Sequence, residues 1–225
     1  MAAQKRLNRD DLVTTALAVA DAEGLDAVTV RRVAQLHGVT PMALYRHFED
    51  KDGLLLAIAE RLLAGTVLPA PDDRPWYEQL RDLLGNFVDA LRPHPNAALL
   101  VFQGMVTTEP GLAVTERSLE LMAQGGMSAE RSAECASQIL GSLVALALAA
   151  PVPLPGPDPE AREDEVRAKR ATLLALSPRR YPHIVAAADT LAACSDPELY
   201  FDRGVDMVVT GIRDAARAEA AAAGH

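Results

Sequence analysis

Residues Ala27 to Phe48 read AVTVRRVAQLHGVTPMALYRHF, and the fold turns on this stretch. Thr29 precedes a short helical pattern that carries Val30, Val33 and His37 on one face. Gly38 follows, and Thr40-Pro41 opens a second short helix. Threonine is a favoured N-cap, and proline is pre-set for the first helical position. Ala34 lies four residues before Gly38. Two helices that cross steeply need a small residue where they approach, and the turn between them needs one that tolerates positive φ. Ala34 and Gly38 meet both needs. Val33, Val39, Leu44 and Phe48 can then pack inward, which gives a helix-turn-helix pattern.

The outward faces carry the chemistry. On a wheel of ~100° per residue, Leu44 and Phe48 share the inner side of the second helix. Met42 and Arg46 lie opposite, with Ala43 and Tyr45 on the flanks. Arg31, Arg32 and Gln35 point outward from the preceding helix. Guanidinium groups, a phenol and a small apolar tip suit contact with phosphates and base edges in a major groove. No Asp or Glu occurs from Ala27 to Phe48.

Helical periodicity continues on both sides. Leu12, Ala16, Leu17 and Ala20 form one stripe, opened by Asn8 or Asp10 and closed by Gly24. Asp50 can cap a helix striped by Leu54, Leu55, Ile58 and Leu62. The segment Thr66 to Pro75, with Pro69, Pro71 and Pro75, reads as the domain boundary. Beyond it, Trp76 to Leu91 fits a helix closed by Pro93 and Pro95. Further helices are expected over Asn96–Met105, Gly111–Gln124 and Ser128–Ala150. After a Pro-rich loop at Pro151–Pro159 come Glu160–Leu176, Arg180–Ala193 and a last helix from Asp196-Pro197. Glu163–Arg167 and Glu165–Lys169 are favourable i,i+4 pairs. No strand pattern appears. The expectation is all-α: an N-terminal three-helix helix-turn-helix domain over residues 1–50, a connecting helix over 51–66 and a larger helical domain over 67–225.

Composition narrows the classes. The 225 residues carry a formal net charge of -9, which argues against coating nucleic acid by bulk electrostatics. The charge is unevenly spread. Residues 1–65 hold eight cations and nine acids, and residues 66–225 hold fourteen and twenty-two. The N-terminus has no apolar signal region, and the most apolar stretch, Ile139 to Leu154, is too interrupted for a membrane span. Cys135 and Cys194 are far apart and offer neither a disulfide framework nor a metal clasp, so a reducing cytoplasm is the default. No catalytic or metal motif occurs. No GxSxG, HExxH or glycine-rich phosphate loop is present.

Residues from about Leu7 to Leu63 resemble the DNA-binding domain of the tetracycline-repressor (TetR) family of transcriptional regulators. The resemblance rests on Ala22-Glu23-Gly24, Thr29-Val30-Arg31-Arg32-Val33-Ala34, Gly38-Val39, Leu44-Tyr45-Arg46-His47-Phe48 and Lys51 before Leu54-Leu55. The C-terminal part resembles the branch of the tetracycline repressor itself at Trp76-Tyr77, Phe87, Tyr181-Pro182 and Phe201 to Asp206. The resemblance implies roles. Arg31 matches a base-reaching position, Pro41, Met42 and Tyr45 match recognition-helix positions, and His47 and Lys51 match positions near the DNA backbone. Thr29, Arg32, Thr40 and Arg46 complete the expected DNA-binding set, with Lys5 and Arg6 reaching flanking phosphates. The chain departs from polar-rich members at Pro41-Met42-Ala43. A small-molecule effector is expected among Leu83, Asn86, Phe87, Phe102, Gln103, Met105, Met122 and Gln138, which mix apolar bulk with a few polar groups. Aligned on Trp76, the position of a metal-contacting histidine in tetracycline-binding members holds Val101. Small and apolar residues at Gly141, Ser142, Ala145, Gly204, Met207, Val208, Gly211 and Ile212 suit either a homodimer interface or intramolecular core.

The expected function is a cytoplasmic, homodimeric repressor. It would be released from a palindromic double-stranded DNA operator by a small molecule, without cofactor, metal, catalysis or membrane. The alternative is a helical small-molecule-binding protein or enzyme whose DNA-binding domain is vestigial.

Overall fold

The computed structural model describes residues 8–149, 159–193 and 196–223, and every regular element in them is helical. The chain divides into two compact units, Met1–Leu148 with Arg203–His225, and Ala149–Asp202.

In the first unit, α1 spans Arg9–Glu23. Its cap is Asn8, whose side chain accepts from the Asp11 N–H at 2.7 Å, while Asp10 sits in the first turn, where negative charge favours the helix. Gly24 closes α1 at φ 85°, a conformation that costs glycine little. After a 3₁₀ turn, α2 spans Val30–Leu36, and the Thr29 hydroxyl accepts from the Arg32 N–H at 3.0 Å. Gly38 adopts φ 65°, and α3 begins at Pro41. Leu12, Ala16, Val28, Val33 and Leu44 are closed to solvent between these helices. α3 itself is one turn, Pro41–Leu44, shorter than the pattern implied. Thr40 caps it without a side-chain hydrogen bond. The chain then tightens, as the His47 and Phe48 N–H groups both bond the Leu44 carbonyl. That turn seats Phe48 in the core.

α4 spans Lys51–Ala64, capped by Asp50, whose carboxylate accepts from the Gly53 N–H at 2.8 Å. Ion pairs Arg9–Glu60 at 3.1 Å and Arg61–Asp10 at 3.0 Å bind α4 to α1. The proline segment has no regular structure and bends at Asp73 and Arg74, and α5 follows over Trp76–Leu91. Asn96 to Met105 is not one helix. Pro95–Leu100 is 3₁₀ and α6 is the single turn Val101–Gly104. The tight geometry directs His94 and Asn96 back to α1: His94 Nδ1 lies 2.8 Å from Asp21 Oδ2, and Asn96 donates to the Asp21 carbonyl at 3.1 Å. α7 spans Glu109–Gln124 and ends at Gly125, with Gly126 at φ 84°. α8 spans Ala129–Leu148, and the Ser128 hydroxyl accepts from the Arg131 N–H at 3.3 Å. Leu80, Leu83, Leu91, Leu121, Met122 and Leu143 form the second core. Each such buried side chain contributes about 1.5–3 kcal/mol.

Buried Arg117 locks the proline segment in place. Its Nη2 donates to Gln79 Oε1 at 2.8 Å and its Nη1 pairs with Glu120 at 2.6 Å. The Gln79 amide in turn donates to the carbonyls of Asp72 and Arg74. Nearby, hydrogen bonds from Arg74 hold the Asp72 carboxyl below the usual carboxylate range.

The second unit holds α9 over Pro159–Leu174 and two short helices, α10 over Pro182–Ala186 and α11 over Ala188–Ala192. The single helix expected over Arg180–Ala193 is thus broken at Ala187. Arg170 of α9 pairs with Asp189 in the first turn of α11, which fixes the second piece separately. On α9, Arg167 bonds Asp164 at 2.7 Å, an i,i+3 pair in place of the expected i,i+4 pair with Glu163. The last helix, α12, spans Pro197–Ala223, with the Asp196 carboxylate accepting from the Leu199 N–H. Lys5, Arg6, Cys194 and residues 151–158 of the Pro-rich loop lie outside the described residues.

Candidate nucleic-acid interface and effector cavity

The short α3 presents an unusual surface. Met42 is 71% exposed and Tyr45 is 49% exposed, although both are large and partly apolar. Pro41 and Arg46 are exposed beside them, as is Arg31 on α2. Arg31 and Arg46 form no ion pair among the described residues. Leu44 and Phe48 are buried beneath this cluster, and large, partly apolar side chains exposed together mark a contact surface. Thr29 is half-buried and occupied as a cap, and Thr40 is exposed at the start of α3.

Arg32 differs from its neighbour. Its Nη2 lies 2.6 Å from Glu23 Oε1, so α1 already holds its charge. His47 is half-buried against Phe48, with ring centroids 6.5 Å apart. Lys51 is exposed at the first residue of α4, but Asp50 fills the cap and Asp52 follows. The helix end is therefore less open to an anion than the lysine alone suggests.

A cavity of about 240 Å³ lies among α5, α7, α8 and the chain after α6. Phe87 and Met105 line it, as expected from sequence. The other expected residues lie elsewhere. Leu83 and Met122 are fully buried core. Asn86 donates to the Val67 carbonyl at 2.7 Å and so fastens the proline segment. Phe102 is 45% exposed, Gln138 is exposed on α8, and Gln103 faces a separate cleft with His47, Phe48 and Thr107. The walls that sequence reasoning missed include Leu84, Val114, Ser118, Ser137, Ile139 and Leu140. Leu84, Val114, Ser118 and Ile139 are buried on α5, α7 and α8, a signal with the same form as ordinary core, and Ser137 is exposed at the rim. Val101 is wholly buried. Among the described residues no group of three or more His, Cys, Asp and Glu could hold a metal ion.

The cavity has a close-packed route to α4. Met105 lines it, and Gly104 presses on α4: a Cβ at Gly104 would lie 2.7 Å from Leu63 Cδ1 and 3.1 Å from Ala59 Cβ. From α7, a Cβ at Gly111 would lie 2.3 Å from the Gly104 carbonyl oxygen.

The residues expected at a dimer interface divide. Ser142 and Ala145 are exposed on α8, and Met207 and Gly211 are exposed on α12, with Met207 at 77%. Gly141 and Val208 are half-buried. Gly204 and Ile212 turn inward. A Cβ at Gly204 would lie 2.6 Å from the Leu146 side chain, and Ile212 is buried. Gly204 thus packs α12 on Leu146 of α8 within one protomer.

Comparison with known proteins resolves the family. The profile described as "Bacterial regulatory proteins, tetR family" matches residues 12–58, and "Tetracyclin repressor-like, C-terminal domain" matches residues 68–216. The chain belongs to the TetR family. It is a transcriptional regulator, as the family is, with an N-terminal helix-turn-helix, and its relatives are regulators and not enzymes. It is 25% identical to the class C tetracycline repressor protein of Escherichia coli, over 92% of this chain and 91% of that one. The TetR-family protein ActR of Streptomyces coelicolor, solved in complex with actinorhodin, superposes with a TM-score of 0.76. It is 26% identical and covers 93% of this chain and 98% of its own. BioQ, solved with its natural double-stranded DNA operator, gives a TM-score of 0.56 at 27% identity, covering 64% of this chain and 87% of its own. Among the described residues no single helix of this TetR-family chain is long and apolar enough to cross a membrane.

Proposed function

We propose that this TetR-family chain acts as a homodimeric repressor in the cytoplasm. It binds a palindromic operator through two copies of α3 and leaves it when a small molecule fills the cavity. The observation that carries the proposal is the exposed, acid-free cluster of Arg31, Met42, Tyr45 and Arg46 above a tightly closed core. Arg31, Pro41, Met42 and Tyr45 contact bases, with Met42 suited to thymine methyl groups. Thr40, Arg46, His47 and Lys51 lie toward the phosphates. Thr29 caps α2, and Arg32 is held by Glu23 of α1.

One α3 reads too few base pairs for specificity. A two-fold dimer reads two half-sites, ~34–36 Å or a multiple apart. The outward residues Ser142, Ala145, Met207 and Gly211 are the proposed contact surface. For release, a ligand displaces Met105. The close contacts of Gly111 with Gly104, and of Gly104 with Ala59 and Leu63, pass the movement to α4, which carries the DNA-binding helices. Both ActR with actinorhodin and BioQ with its operator support this division of labour.

The test is selection of bound sequences from random double-stranded DNA, followed by a compound screen for release of the best one. An inverted repeat bound by two chains, and compounds that release it, are expected. Enrichment of no sequence would refute the proposal.

A further inference from the structure

We infer that the effector is an uncharged, metal-free molecule of about two fused rings whose polar groups are hydrogen-bond donors. This deepens the proposed function and rests on the cavity among α5, α7 and α8 being the effector site.

The walls decide the charge. The cavity is lined by carbon from side chains such as Leu84, Phe87, Val114, Ile139 and Leu143. Among the described residues, no Asp, Glu, Lys, Arg, His, Asn or Gln lines it. The cavity opens to solvent at Val106, Ala133 and Ser137, but an ion seated against its apolar inner walls would still lose part of its hydration with no opposite charge to replace it, which is unfavourable. A metal-chelated ligand fails for the same reason. The wall offers no nitrogen or carboxylate ligand, and the described residues contain no metal-binding cluster.

The walls also decide the sense of the hydrogen bonds. The polar side chains present are hydroxyls: Thr115, Ser118 and Ser137. Each has already committed its proton. Ser118 donates to the Val114 carbonyl at 2.8 Å, Ser137 to the Ala133 carbonyl at 3.2 Å, and Thr115 to the Met105 carbonyl at 3.3 Å. A hydroxyl has one proton and two acceptor lone pairs. What remains for a ligand is acceptor capacity. A phenolic or alcoholic O–H, or a neutral N–H, is satisfied there, whereas a carbonyl or ether oxygen is not. Size follows from volume. An apolar cavity of ~150 Å³ takes benzene, so 240 Å³ takes a substituted or fused pair of rings.

The experiment is direct binding of a matched set of probes to the full chain, by calorimetry or thermal shift. The set is 1-naphthol, 1-methoxynaphthalene, 1-naphthoate, 1-naphthylmethylammonium, and tetracycline with Mg²⁺. The expected order places 1-naphthol first. Its margin over the methyl ether is about three- to tenfold, the size of one net hydrogen bond. Its margin over either charged naphthalene is at least about tenfold, from the cost of burying charge. A chelator leaves naphthol binding unchanged. Equal or tighter binding of a charged naphthalene or of Mg²⁺–tetracycline overturns the inference, as does failure of 1-naphthol to bind.

Two variants separate the chemistry from the location. Ala136→Trp fills the cavity and should abolish naphthol binding. Binding that this variant leaves unchanged overturns the location, and with it the effector site of the proposed function. Thr115→Val with Ser118→Ala and Ser137→Ala keeps the shape and removes all three acceptors. The margin of naphthol over its methyl ether should then collapse toward one, with ether binding retained. A margin unchanged in that variant overturns the hydrogen-bond assignment.

Discussion

The DNA-facing surface comes from one continuous stretch, Ala27 to Phe48, whereas the cavity walls run from Leu84 to Leu143 across three helices and a corner. The first is set by local rules: a threonine cap, a proline start, a glycine at positive φ and a period of 3.6. Its functional residues are those the pattern leaves unburied. The second is set by how distant helices fail to close completely, and its functional residues are apolar like those of the core around them. Exposure marks the first site and absence of charge marks the second. On the proposed reading, one fold carries a site for a polyanion and a site that rejects ions.

Predictions that break or sharpen this contrast can be ranked by size. Leu44→Ala removes a fully buried side chain beneath α3 and should cost about 2–5 kcal/mol of stability. Denaturant unfolding measures that loss. Operator binding should vanish while 1-naphthol still binds, so joint loss would show that the two regions do not fold separately enough to be contrasted. Gly111→Ala pushes a methyl group into the Gly104 carbonyl and Met105 backbone, with an overpacking cost of about 1–3 kcal/mol. It should lower Tm and also weaken the ligand's effect on operator binding. A Tm loss with ligand response intact would remove Gly104 and Gly111 from the coupling route. Arg31→Ala should reduce discrimination at one or two base pairs by about 1–3 kcal/mol, read by competition with mismatched operators. Arg32→Ala, one residue on, loses only an exposed pair with Glu23. It should change stability by less than about 1 kcal/mol and leave base preference unaltered. Similar specificity losses for the two arginines would erase the distinction between them.

The same contrast explains what the sequence made legible. The caps at Asn8, Thr29 and Asp50 and the turn at Gly38 all formed as local chemistry dictates. Three elements did not follow. The 3₁₀ run at Pro95 depends on Asp21, far away in the chain. The break at Ala187 depends on a pair between α9 and α11. The turn after Leu44 depends on seating Phe48. Each is decided by a tertiary partner that periodicity does not encode. The cavity suffered most from this. Gln138 and Phe102 have suitable chemistry but lie outside the cavity, while Ser118 and Ser137 line it without belonging to any motif.

The central claim is that a chain of net charge -9 binds DNA through a small acid-free face used twice. A salt titration of the selected operator tests it most directly. A dimer making about six to ten phosphate contacts should lose ~10³–10⁵ in affinity between 50 and 200 mM salt, with a linear log–log slope. Affinity that does not change with salt would contradict the account.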